Sequence, residues 1–342
     1  MLRCGAAVVF YFFEGLMARQ LFYALFFVLL CAGSIQPMRA GSLLFVDGSG
    51  SNQVGNNDFL FTYNGSTLVN TSTNSPFMGN PGQIAVGADG NLYIPEQDIG
   101  NGSGIDIFSG TNGQFIGQYL ASSFSNGLSF APTGLAWGPD GKLYIGDSSG
   151  DFVSSYDGTT VSQAIGPNAG LFAPEGMTFG PGGFLYVANA NSGVISRWDG
   201  TTLISSFTSV VDHGGAFFDV TVGIDGNLYV TDTTNSVVQV FRASDGTYLG
   251  HFGNTGTVLV QPTGLAFAPN GDLYVTDANG VQVFNNTGNF VNQLIQFDSN
   301  PGDQSMGQFL ALSSTVPEPS AFLLSVLGLL GIGAVARWQR AR

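Results

Sequence analysis

The sequence predicts an all-β chain folded as a six-bladed β-propeller. Three observations carry that prediction: a turn-and-strand pattern that recurs about every 45 residues, a composition rich in glycine and poor in charge, and one unmatched strand after the last repeat. The repeated unit reads DGNLY at 89–93, DGKLY at 140–144, GGFLY at 182–186, DGNLY at 225–229 and NGDLY at 270–274, and SLLFV at 42–46 supplies the same strand first. The aligned aromatics Phe45, Tyr93, Tyr144, Tyr186, Tyr229 and Tyr274 are 48, 51, 42, 43 and 45 residues apart. Such a period is one four-stranded blade.

An alternating apolar strand precedes each turn: QIAVG at 83–87, GLAWG at 134–138, GMTFG at 176–180, DVTVG at 219–223 and GLAFA at 264–268. These are the expected innermost strands, where small residues allow crowding at the axis. The first repeat lacks one, and GQFLAL at 307–312 stands alone after the last. Joining the two completes one mixed blade and closes the ring without an exposed sheet edge between first and last blades.

With 50 glycines, 9% charged residues and 44% hydrophobic residues in 342, the chain suits many short strands and tight turns better than helices. Both cysteines, Cys4 and Cys31, fall within the first 40 residues, so the propeller has no disulfide framework, and a core of this size is stable without one. Between residues 41 and 315 three basic residues (Lys142, Arg197, Arg242) face twenty-one acidic ones, a formal charge of −18. That field repels nucleic acid and anionic headgroups. It serves solubility or, alternatively, cation binding outside the cell.

Residues 1–40 read as a signal peptide. The apolar run LFYALFFVLLCA at 21–32 follows Arg19 and is followed by small and polar residues, and it is too short for a comfortable membrane span. Met17 is an alternative start, since MARQ plus the apolar run makes a compact signal by itself. Cys31 follows Leu30, where lipoprotein processing needs a small residue. At the other end, 316–342, come Val316, Pro317, Glu318, Pro319 and Ser320, sixteen apolar or small residues at 321–336, and a basic end with Arg337, Arg340 and Arg342. Sixteen helical residues span roughly 24 Å, short for a permanent anchor, and the arginines hold the end on the cytoplasmic face.

Two resemblances follow from these residues. The tail resembles the PEP-CTERM sorting signal in its Pro-Glu-Pro motif, transmembrane helix and basic end. This implies recognition by an exosortase-type membrane protease, a transient stay in the inner membrane, cleavage near the motif, and delivery to the cell envelope or beyond. The propeller repeats at 219–253 and 262–295 resemble NHL repeats, with an inner strand, an Asp/Asn-Gly turn, LYVTD and a QVF strand.

Two rings of residues are candidates for chemistry. After the second strand of each blade stand Asp47, Glu96, Asp147, Asn189, Asp232 and Asp277. Five of these are Asx residues that cap turns, and sixfold repetition favours that building role over a cation site. Just before the inner strands, facing the mouth of the central channel, stand Thr133, Glu175, Phe218, Thr263 and Met306, with Asp219 one place later. The chain resembles gluconolactonase-type propellers in repeat pattern, and these put metal-binding Asn and Asp at such P-x-G positions. Here only Glu175 offers an oxygen ligand, and a hard cation such as calcium needs about six oxygens. Glu175 and Asp219 are thus weak metal candidates, and with His213 they are the candidate catalytic set, His213 as general base. A P-loop and a basic aromatic stripe are absent from the sequence.

The expected function is therefore an exported, envelope-associated or secreted, non-catalytic binding or scaffold propeller. Its expected partners are the sorting protease and an extracellular polysaccharide or protein ligand, as in an exopolysaccharide matrix. The alternative is a lactonase-like hydrolase or lyase using Glu175, Asp219 and His213 at the channel mouth.

Overall fold

The computed structural model describes residues 43–49, 59–72, 81–97, 103–120, 131–207, 215–253, 257–297 and 306–313. The expected signal peptide, the sorting tail and His213 lie outside the described residues. Among the described residues, twenty-four strands form six four-stranded antiparallel sheets, each built from consecutive strands except one. The exception is the sheet of β1 (Leu43–Ser49), β2 (Phe59–Asn64) and β3 (Thr67–Ser72), whose inner strand is β24 (Met306–Leu312). In that mixed blade Leu44 pairs with Leu312 and Phe45 with Ala311. The ring is thus a β-propeller closed by a strand from the far end of the repeats.

Turn chemistry explains why the repeats read as they do. In the D-G-x-L-Y turns, Asp89, Asp140 and Asp225 each accept the amide of the residue two places on, at 3.0, 3.2 and 3.0 Å, and the hydroxyl of the tyrosine four places on, at 3.1, 3.3 and 3.1 Å. The intervening glycine takes φ near +80° (Gly90 +77°, Gly141 +79°, Gly226 +78°), a conformation that costs other residues a steric clash. The tyrosine ring then lies close to the glycine that follows the inner strand. A Cβ at Gly138 would sit 2.6 Å from the Tyr144 ring.

Between these turns the strands bury their apolar faces against the next blade. Phe217, Val230 and Phe241 of one blade pack on Tyr186 and Ile195 of its neighbour, and Phe309, Phe45 and Leu60 pack on Ile84, Leu92 and Phe108. Each fully buried side chain of this size contributes about 1.5–3 kcal/mol. The stacking of blade on blade is therefore the core.

All six inner strands start at one end of the channel, here the mouth face, and run to the other, where five of them turn into the second strands. That opposite turn face carries the hairpins at 88–91, 139–142, 181–184, 224–227 and 269–272, and those joining third to fourth strands. Because β1 begins and β24 ends there, both ends of the described chain leave from the turn face.

Candidate functional site

The site is built on the inner strands: β4 (Ala85–Val86), β8 (Pro132–Trp137), β12 (Pro174–Phe179), β16 (Phe217–Val222), β20 (Leu265–Phe267) and β24. Their pairing to the second strands aligns Ala85, Ala136, Thr178, Thr221, Ala266 and Ala311 opposite the repeat aromatics. Two residues earlier in each strand lie Gln83, Gly134, Gly176, Asp219, Gly264 and Phe309. In β8, β12 and β16 the register shifts just before this point, between Pro132 and Leu135, Pro174 and Met177, and Phe217 and Val220. The kink leaves those backbones without ladder partners at the channel axis.

Three side chains fill the space that the three glycines leave. Gln83 Oε1 accepts the amides of Leu135 at 3.0 Å and Met177 at 2.8 Å, while its Nε2 donates to Met177 O and to Asp219 Oδ1, both at 3.0 Å. Asp219 Oδ1 also accepts its neighbour Val220 N at 2.8 Å, and Oδ2 accepts Leu265 N at 3.0 Å. From the opposite side Phe218 stacks on Phe309, with ring centroids 5.3 Å apart. Gln83 and Asp219 thus tie five blades together by satisfying inner-strand amides that face the axis, where an unpaired amide costs about 1–3 kcal/mol. Burial pushes the Asp219 carboxyl up to about 7, against the opposing pull of the Leu265 and Val220 amides.

One residue nearer the mouth lie Gly82, Thr133, Glu175, Phe218 and Thr263. Thr133 donates to Pro174 O at 2.6 Å, and Thr263 shares a 3.1 Å hydroxyl contact with Thr276. Glu175 is half-buried, and burial alone pushes its carboxyl up to about 8. That shift favours the neutral acid, on an inner strand that lies between those of Thr133 and Phe218.

Of the three residues expected to act together, the structure places Glu175 at the mouth and Asp219 one layer deeper with both oxygens engaged; His213 is not among the described residues. Both Asp219 oxygens serve the axial ties. Among the described residues no group of three or more His, Cys, Asp or Glu is placed to hold a metal ion. Gln83, which matters as much as Asp219, was not singled out in the sequence. Its signal was a non-glycine at a position that is glycine in three other repeats.

Four of the six residues after the second strands are turn caps. Asp147 accepts the amides of Ala131, Ser149 and Gly150, and Asp277 those of Val260, Asn279 and Gly280, while Asn189 accepts Phe172 N and donates to Val187 O and Val194 O. Asp232 accepts Asn235 N and the side chains of Asn235 and Gln239. In the second blade the matching place holds fully buried Glu96, with Asp106 buried across the ladder where the fifth and sixth blades have Gln239 and Gln282.

The fold and the tail define the class: a six-bladed β-propeller joined to a membrane-sorting signal. The PEP-CTERM protein-sorting motif matches residues 315–340, the signal of an exported protein that an exosortase-type membrane enzyme processes. No curated protein matches the chain. Among solved structures it is similar to a chain of a nidogen/laminin complex (17% identity, TM-score 0.60, 80% of this chain and 99% of that one). A protein of unknown function from Bacteroides caccae matches at 13% identity and TM-score 0.59, again over 80% and 99%. A gluconolactonase from Xanthomonas campestris matches at 16% and 0.52, over 76% and 88%. Identities this low carry the fold alone.

Proposed function

We propose that this chain is an exported propeller, residues 41–315, that binds a ligand in the cell envelope or outside it after an exosortase-type enzyme removes the tail at 316–342. The observation that carries the reading is the sorting motif at 315–340, set directly after the strand that closes the ring. Binding rather than catalysis is supported by the use of Asp219, the deepest channel carboxylate, as a structural tie. A neutral, polar and aromatic mouth of Thr133, Glu175, Phe218 and Thr263 suits an uncharged hydroxyl-rich ligand such as a polysaccharide of an extracellular matrix, through hydroxyl hydrogen bonds and ring contact.

The test is mass spectrometry of the envelope form, which should show a C-terminus near residues 316–320, with Glu318→Ala trapping the protein in the inner membrane. An intact Arg342 terminus in extracellular material would defeat the sorting reading. A second reading, a lactonase-like hydrolase or lyase, is favoured by one observation: a half-buried glutamic acid held protonated at the mouth is suited to donate a proton to a leaving group. Lactone turnover that is lost in Glu175→Gln would establish it.

A further inference from the structure

The strand that closes the ring also sets how the propeller stands on the membrane; this inference rests on the sorting reading above. β24 ends at Leu312 on the turn face, three residues before Thr315, where the matched motif begins. From Leu312 to Ala321, the first residue of the apolar run, the tether is nine residues long, at most about 30 Å when fully extended. To bring the mouth face to the lipid, that tether must pass outward beneath the blade and up its side. The first leg crosses the spacings of four strands, about 14 Å, and the second follows strands of five residues, about 17 Å. The whole tether is consumed before it reaches the headgroups.

The turn face itself fits a surface held near lipid without binding it. The hairpins place Ala88, Pro139, Pro181, Ile224 and Pro269 exposed around the axis, and Ile224, at 71% exposure, is the most exposed of the large hydrophobic residues described. Beside these tips lie Asp89, Asp140, Asp225 and Asp272, with Asp157, Asp199 and Asp245 in the outer hairpins. The described cations of those turns, Lys142 and Arg242, are paired to Asp140 at 3.7 Å and Asp245 at 3.1 Å. Anionic headgroups repel such a face, so contact with the lipid surface lasts only as long as the tether does.

We propose that before processing the turn face lies toward the lipid surface while the mouth face, with Glu175, looks away into solvent, so that the mouth is open to ligand while the chain is still anchored. The test uses the full chain carrying Glu318→Ala, with Cys4 and Cys31 replaced by serine, so that an introduced thiol stands alone. Ile224→Cys reports the turn face and Phe172→Cys, 55% exposed in the loop before β12, the mouth face. Labelling by a membrane-impermeant maleimide is compared between membranes and detergent solution. The expected result is a several-fold slower reaction in membranes for Ile224→Cys and rates within twofold for Phe172→Cys. Equal rates at both positions, or slowing at Phe172→Cys, would overturn the orientation while leaving the sorting reading in place. Recovery of the Glu318→Ala chain in the soluble fraction would overturn both.

Discussion

Glu175 and Asp219 stand one layer apart on neighbouring inner strands, and burial raises both carboxyls, to about 8 and about 7. Their surroundings differ. Asp219 meets three N–H donors from three blades, whereas desolvation alone shifts Glu175, with no hydrogen bond among the causes. The lesson is that a raised carboxyl at a channel is not by itself a functional mark. The number of fixed donors aimed at it separates a strut from an available acid.

The contrast depends on the closed ring, so the largest effect should come from deleting residues 306–313. This removes the buried Phe309, Leu310 and Ala311 and opens two sheet edges, a loss above about 5 kcal/mol. Urea unfolding followed by circular dichroism should lose its cooperative transition, and an unchanged midpoint would contradict the closure. Next comes Gly176→Ala. Its Cβ would lie 2.4 Å from Asp219 Oδ1 and 2.6 Å from Asp219 Cα, so the axial tie must shift at a cost of about 3 kcal/mol. A matched substitution at Gly117, where a Cβ meets nothing within 4 Å, should be far milder.

The smallest effects make the sharpest comparison. Asp219→Asn turns one acceptor into a donor that faces Leu265 N or Gln83 Nε2, and should cost about 1–3 kcal/mol at pH 5. Because burial raises the Asp219 carboxyl from 3.8 to about 7, the native protein loses stability as pH rises through that window and the cost should shrink. Glu175→Gln preserves the neutral form and should leave stability at pH 5 nearly unchanged. Since the Glu175 pKa is raised from 4.5 to about 8 on folding, the native state holds a proton that the unfolded state releases, and stability from this group falls as pH rises through that window. The Gln variant should therefore gain on the native protein between pH 5 and pH 8. If Glu175→Gln cost as much as Asp219→Asn at pH 5 in urea, the distinction between strut and free acid would fail.

Much of the architecture was legible because its causes are local. An aspartate, a glycine with positive φ and a tyrosine four residues on make one hairpin, and that hairpin recurs with a blade's period. The turn-cap role of Asp147, Asn189, Asp232 and Asp277 was legible for the same reason. The axial ties were not. Gln83 and Asp219 belong to strands 136 residues apart, and the register shift between Phe217 and Val220 is what aims Asp219 inward, a turn of backbone that no residue pattern announces. Reading along the chain assigned Asp219 to the mouth, and only the ladder places it one layer below.

The pairing of Leu44 with Leu312 has a temporal consequence. A ring whose first sheet waits for its last strand cannot latch until nearly all of the chain has been made, and the contact spans about as much sequence as the fold contains. Contacts this remote in sequence form slowly, since the loop they close must be ordered first. A polypeptide delayed in this way stays threadable while it crosses a membrane, and becomes rigid only on the side where its final strand arrives.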